Sequence, residues 1–275
     1  MNTHDIMQVA LDLGGFEELP PDSGVWVEGD NLRRVLVGLD VGAAELKIAH
    51  DLGFDAVVAH HPVRRHGFWQ VFERHRELMR SAGVPDEAVR AALDERSSAM
   101  RLSAETANDD HVVSVARLLR MPFLNVHLPL DEYGRRAITE TVTSCLRDNA
   151  DASVHEVAGA IGRLATFRRL QAKPVVVYGA GNAPAGRVVV SLAAGTNGGF
   201  PVAAAYFAHG IDTVIYMHID AADLGRLRRS ELCGNLIITG HVPGDGIGMD
   251  AFVCELRRRG LEVTTFSGVD TPVEK

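Results

Sequence analysis

Short runs of consecutive apolar residues alternate along this chain with stretches of helical spacing. RVLVGL (34–39) and AVVA (56–59) are of the first kind. Between them, residues 43–52 place apolar side chains three and four apart and are closed by Gly53. Glycine accepts the left-handed conformation that ends many helices. Strand, helix and strand in such quick succession predict a βαβ unit. Two strands that run the same way need a crossover of this kind, so the pairing is expected to be parallel.

The same reading extends over the rest of the chain. Residues 3–14 have helical spacing, and 19–29, with two prolines and two glycines, are expected to be a loop. Residues 70–118 read as almost entirely helical, broken at Gly83-Val84-Pro85. Pro85-Asp86-Glu87 suits a first helical turn, where proline loses no hydrogen bond and acidic groups meet the positive end of the dipole. Strands are predicted at 123–126, 175–178, 187–192, 213–217, 236–239 and 263–266, and helices at 135–148, 200–209, 220–229 and 249–258. This alternation predicts an α/β fold of two layered halves with mostly parallel sheets. The halves are expected to be residues 1–150, with the helical insertion at 70–118, and residues 151–275.

Charge and cysteine content narrow the function classes. With 36 acidic against 28 basic residues the net charge is −8, which argues against a broad nucleic-acid-binding surface. Cys145, Cys233 and Cys254 form no CxxC pattern, and an odd, sparse set fits reduced thiols in the cytoplasm. The N-terminus lacks a basic segment followed by an apolar run. The most apolar stretch, 188–217, is interrupted by Gly, Asn, Pro and His, so no membrane span is expected.

The chemistry lies at the strand ends. Three apolar runs lead directly to histidine: AVVAHHP, FLNVHLPLD and LIITGHVPGD. In open parallel sheets ligands bind beyond the carboxyl ends of the strands, so the three ends can converge. Asp131 follows His127 by four residues, and Asp245 follows His241 by four. Pro62, Pro129 and Pro243 are expected to keep these turns non-helical. Neutral imidazole is the commonest protein ligand for zinc-like ions, and a carboxylate can bridge two cations. His60, His61, His127, Asp131, His241 and Asp245 exceed the needs of one tetrahedral ion and suit a pair. Such a pair lowers the pKa of bound water to about 7, and the expected chemistry is hydrolysis by a metal-bound hydroxide.

The segments GLDVGAAELKIAHDLGFDAVVAHHPV, NVHLPLDE and ITGHVPGDGIGMDAFVCELRRRGLEV resemble the Nif-three-like family (NGG-one-interacting factor three), some of whose members are described as GTP cyclohydrolase I type II homologues. The resemblance implies two divalent cations (zinc, iron, manganese, nickel or cobalt) held at the positions of His60, His61, Asp131, His241 and Asp245. It implies for His127 a place near the centre, orienting substrate or exchanging protons. The family usually has Glu where this chain has Asp245. The resemblance also implies a ring-shaped homo-hexamer and a small polar or nucleotide-like substrate. A protein that binds metal or a partner without turnover is the competing class, because the family name comes from a protein interaction. Two departures stand out. The 65 residues between His61 and His127 exceed the compact pattern, and His218-Ile219-Asp220 replaces Thr-Gly-Asp at a strand end, where His218 and Asp220 either support the cleft or serve structure.

Other signals carry less. GAGNAPAG (179–186) matches neither a P-loop nor GxGxxG. GTNGG (195–199) precedes a helix whose first N–H groups can hold an anion, or it is a turn that needs positive φ. Asp40 either supports a ligand histidine or caps the following helix. His66, His75, His111, His155 and His209 have no partner pattern.

Overall fold

The computed structural model describes residues 1–65, 67–192 and 198–269. In chain order the elements are α1 (Thr3–Gly14), β1 (Gly24–Val27), β2 (Arg34–Gly38), α2 (Ala43–Asp51), β3 (Ala56–Ala59), α3 (Phe72–Ser81), α4 (Asp86–Glu105), α5 (His111–Leu119), β4 (Phe123–Asn125) and α6 (Leu128–Asp148). They continue with α7 (Val154–Ile161), α8 (Ala165–Arg169), β5 (Val175–Tyr178), β6 (Val188–Val190), α9 (Gly199–Ala208), β7 (Thr213–Tyr216), α10 (Ala221–Arg229), β8 (Asn235–Ile238), α11 (His241–Arg258) and β9 (Glu262–Phe266). A single 3-10 turn, Phe68–Val71, precedes α3. The fold is α/β with two mostly parallel sheets. No helix among the described residues is long and apolar enough to cross a membrane.

The residues divide into two units that interleave along the chain. The first comprises 1–70, 100–133 and 246–275, and the second 71–99 and 134–245. The expected halves met once, near residue 150. Instead β9 returns to the first sheet, and residues 71–99 of the helical insertion belong with the second.

In the first unit the sheet order is β1-β4-β3-β2-β9. β2 pairs in parallel with β3 and β9, and β3 with β4. The strands are apolar on both faces because both faces are covered. Val35, Val37, Val58 and Val263 pack with Ile6, Val253 and Leu256 of α1 and α11. Leu36, Val57 and Phe123 pack with Leu46 and Ala116 of α2 and α5. β1 lies within the segment expected to be a loop. It is an antiparallel edge strand on β4, and its four residues follow a Pro-Pro pair that masked it.

The second sheet has the order β5-β8-β7-β6, parallel except for β5. The part of the insertion in this unit is packed rather than solvated. His75 is fully buried, with its Nδ1 3.4 Å from the Ser191 hydroxyl, and Arg96 pairs with Asp223 at 3.2 Å. Tyr216 Oη donates to the Gly199 carbonyl at 3.1 Å, which fixes the start of α9. Of GTNGG, residues 195–197 lie outside the described residues, as does His66. GAGNAPAG is a tight turn: Gly179 has φ +85°, and a Cβ there would come within 2.4 Å of the Gly234 carbonyl oxygen.

The prolines act differently from expectation. Pro129 and Pro243 stand in the first turns of α6 and α11. The first N–H groups of a helix have no intrahelical acceptor, so proline costs no bond there. Both helices therefore start immediately after the strand ends. Pro62 alone of the three follows a non-helical turn.

Candidate metal centre

His60 and His61 leave the end of β3 while still hydrogen-bonded across the sheet, through His60 N–H to the Gly38 carbonyl and His61 N–H to the Leu39 carbonyl, both at 2.9 Å. His127 leaves the neighbouring strand end, and Asp131 lies one turn further on in α6. The spacing of four that joins His127 to Asp131 is a helical one, which places both side chains on one face.

Each of these three imidazoles has its Nδ1 held. His60 Nδ1 donates to the Val126 carbonyl at 2.9 Å. His61 Nδ1 lies 2.7 Å from Asp40 Oδ1, so Asp40 supports a histidine, and the N-cap of α2 is Gly42. His127 Nδ1 lies 2.8 Å from Asp22 Oδ2. With the proton on Nδ1, each ring presents the lone pair of Nε2. A histidine that gives one N–H to a carbonyl or carboxylate and offers its other nitrogen is the arrangement that orients metal ligands. One ring nitrogen from each of the three lies within 4.8 Å of those of the others. The ring centroids of His60 and His127 are 4.9 Å apart.

Asp131 stands beside two of these rings. It is 1% exposed, with Oδ1 3.3 Å from His60 Nε2 and Oδ2 3.8 Å from His127 Nε2. Among the described residues no donor forms a hydrogen bond to either oxygen. A buried carboxylate facing lone-pair nitrogens is costly unless a positive charge stands with it. A divalent cation meets that need, and imidazole nitrogens with a carboxylate oxygen are the donor chemistry of zinc and similar ions. The residues therefore fit a metal.

Asp22 has no forerunner in the sequence reading. Its Oδ2 also accepts the Leu128 N–H at 3.1 Å, its carbonyl accepts Asn125 Nδ2 at 2.7 Å, and the neighbouring Ser23 Oγ accepts the His127 N–H at 3.0 Å. The edge strand β1 thus delivers the residue that sets the His127 ring. The only sequence signal was the Asp-Ser pair directly ahead of GVWV.

In the second unit, His241 opens α11 after β8, and its Nε2 is 3.2 Å from Asp245 Oδ2. Asp245 is 1% exposed. The His218 ring stands 5.0 Å from that of His241. Asp220 is the N-cap of α10, accepting the Asp223 N–H at 2.8 Å, so its role is structural. The first unit brings together His60, His61, His127 and Asp131, and the second brings together His241, Asp245 and His218. His155 and His209 make local contacts to Asn182 and to the Ala205 carbonyl. Cys145, Cys233 and Cys254 form no disulfide.

The chain is similar to the crystal structure of a NIF3 superfamily protein from Sphaerobacter thermophilus, with 44% identity over 98% of this chain and 99% of that one and a TM-score of 0.95. It shares its fold with reduced HcgD from Methanocaldococcus jannaschii (15% identity, 96% and 97% of the two chains, TM-score 0.60). It also shares it with a hypothetical protein, SA1388, from Staphylococcus aureus (12% identity, 100% and 99%, TM-score 0.53). No family model and no curated protein matches the chain.

Proposed function

The chain belongs to the NIF3 superfamily, and from that membership we propose that it is a metal-dependent hydrolase of small polar or nucleotide-like molecules. Its centre takes His60, His61 and Asp131 as ligands, with His127 beside them as the acid–base group. The family resemblance adds His241 and Asp245, and with them a second cation. The observation that carries this reading is the buried Asp131 carboxylate, which lacks a hydrogen-bond donor and faces imidazoles whose Nδ1 atoms are all held.

When bound, divalent cations supply Lewis acidity and make a water molecule a competent nucleophile near neutral pH. The chain's own residues do the rest. Asp131 turns one oxygen towards His60 and the other towards His127, so it can divide its charge between two positions. Asp22 keeps the proton of His127 on Nδ1 and leaves Nε2 to take or return a proton. Val126 and Asp40 hold His60 and His61 in fixed orientations, so little reorganisation is needed when ligand binds.

The test is hydrolysis of a panel of phosphoesters and cyclic amides by metal-loaded protein, with metal content measured alongside. Wild type is expected to turn over at least one member, and Asp131→Ala and His241→Ala to lose both metal and activity. Loss of metal from the variants with no turnover by wild type would instead support binding without catalysis.

A further inference from the structure

Beside His61 the first unit contains a cavity of about 510 Å³. Its walls come from two parts of the chain. Residues 40–42, 61–63 and Arg65 form one, and residues 107–109 with Val112 form the other. The second wall belongs to the stretch that lengthens the His61–His127 interval.

We propose that this cavity seats the substrate and that Arg65 receives an anionic group on it, a phosphate or a carboxylate. The inference rests on the hydrolase reading and names the substrate class for it. Four observations support it. The volume lies in the range of small-molecule sites, and the lining mixes apolar side chains such as Val41, Val63 and Val112 with a few polar groups, as such sites do. His61 is itself a wall residue, so a molecule in the cavity lies against a ligand of the proposed centre. The two carboxylates in the wall are already engaged, Asp40 by His61 Nδ1 at 2.7 Å and Asp109 by the Arg65 backbone N–H at 3.0 Å. The Arg65 guanidinium, by contrast, has no ion-pair partner among the described residues.

The fourth observation concerns helix ends. Gly42 is the N-cap of α2, and Asp109 directly precedes Asp110, the N-cap of α5. Both nine-residue helices therefore begin at the cavity wall. Helix N-termini favour negative charge through their unpaired N–H groups and the aligned peptide dipoles. The Gly42 N–H is already held by Glu45 Oε2 at 2.8 Å, so the guanidinium is the main partner for an anion here, while the apolar side chains accommodate the body of the molecule. On this reading the lengthened segment acts as a specificity wall.

Isothermal titration calorimetry on the metal-stripped full chain tests this, because removing metal leaves Arg65 as the anion's partner. The probes are phenyl phosphate, benzoate and neutral benzyl alcohol. At least one of the two anions is expected to bind wild type, and the tighter one identifies the preferred group. Arg65→Ala should weaken that binding by about tenfold or more, Arg65→Lys should recover part of it, and Arg90→Ala, an exposed arginine of the second unit, should leave it unchanged. The proposal is overturned if neither anion binds, if Arg65→Ala binds as tightly as wild type, or if benzyl alcohol binds as well as the anions. Metal content, measured separately, distinguishes the two readings. Arg65-dependent binding in a chain that never takes up metal refutes the metal centre and keeps the cavity. A chain that holds metal but fails the calorimetry refutes the cavity alone.

Discussion

Asp131 is a carboxylate placed where folding alone would not favour one. Replacing it with Asn keeps its volume and supplies an amide N–H₂ able to donate to His60 Nε2. The metal-free Asp131→Asn protein is therefore expected to melt no lower than metal-free wild type, while its metal affinity falls by about tenfold or more. Calorimetric melting and metal analysis of the same samples check both halves. Asp22 should behave in the opposite way. Asp22→Ala leaves the His127 Nδ1–H and the Leu128 N–H without their acceptor, a loss of about 1–3 kcal/mol, and lets the His127 ring turn. Denaturant unfolding measures the first effect. At this scale the histidines and Asp131 were legible because they stand directly after apolar strands. Asp22 was not, since its partner His127 is 105 positions away and nothing local marks the pairing.

At the scale of elements, the turn that carries Asp131 is clasped by two glycines. A Cβ on Gly14 of α1 would lie 2.7 Å from the Pro129 backbone, and one on Gly248 of α11 would lie 2.2 Å from the Leu130 carbonyl oxygen. Gly248→Ala is expected to destabilise the protein by about 1–3 kcal/mol and to reduce metal binding by shifting Asp131, as thermal melts and metal content will show. Further along α11, Arg258 and Arg259 hold the Glu255 carboxyl down to about 2. A carboxyl lowered on folding contributes stability above its unfolded value of 4.5, and that contribution disappears as pH falls through about 2. Glu255→Gln should accordingly lower Tm at pH 6 and leave it nearly unchanged at pH 2. Helix periods, parallel strands and the break at Gly83-Val84-Pro85 could be read from spacing. The early starts of α6 and α11 could not, because proline breaks a helix interior but opens a helix when it stands in the first turn. The spacing of four that suggested shared ligation was already the helical period.

For the whole molecule, the sequence suggested a single division, yet β9 lies beside β2 and residues 71–99 join the second unit. Periodicity reports which segments form strands. It does not report the order in which strands pair, which depends on contacts between distant parts of the chain. The family resemblance leads us to propose a homo-hexamer of this 29.7 kDa chain, and light scattering after size exclusion will report six copies or fewer. The central claim is that the buried histidines and Asp131 hold metal. Anomalous diffraction from crystals grown with divalent metal tests it most directly. The account predicts a peak about 2.0–2.3 Å from a ring nitrogen of His60 or His61 and from an Asp131 oxygen, with a second peak about 3.5–4 Å away. A map with no anomalous density beside these residues, or with metal only elsewhere on the chain, would contradict it.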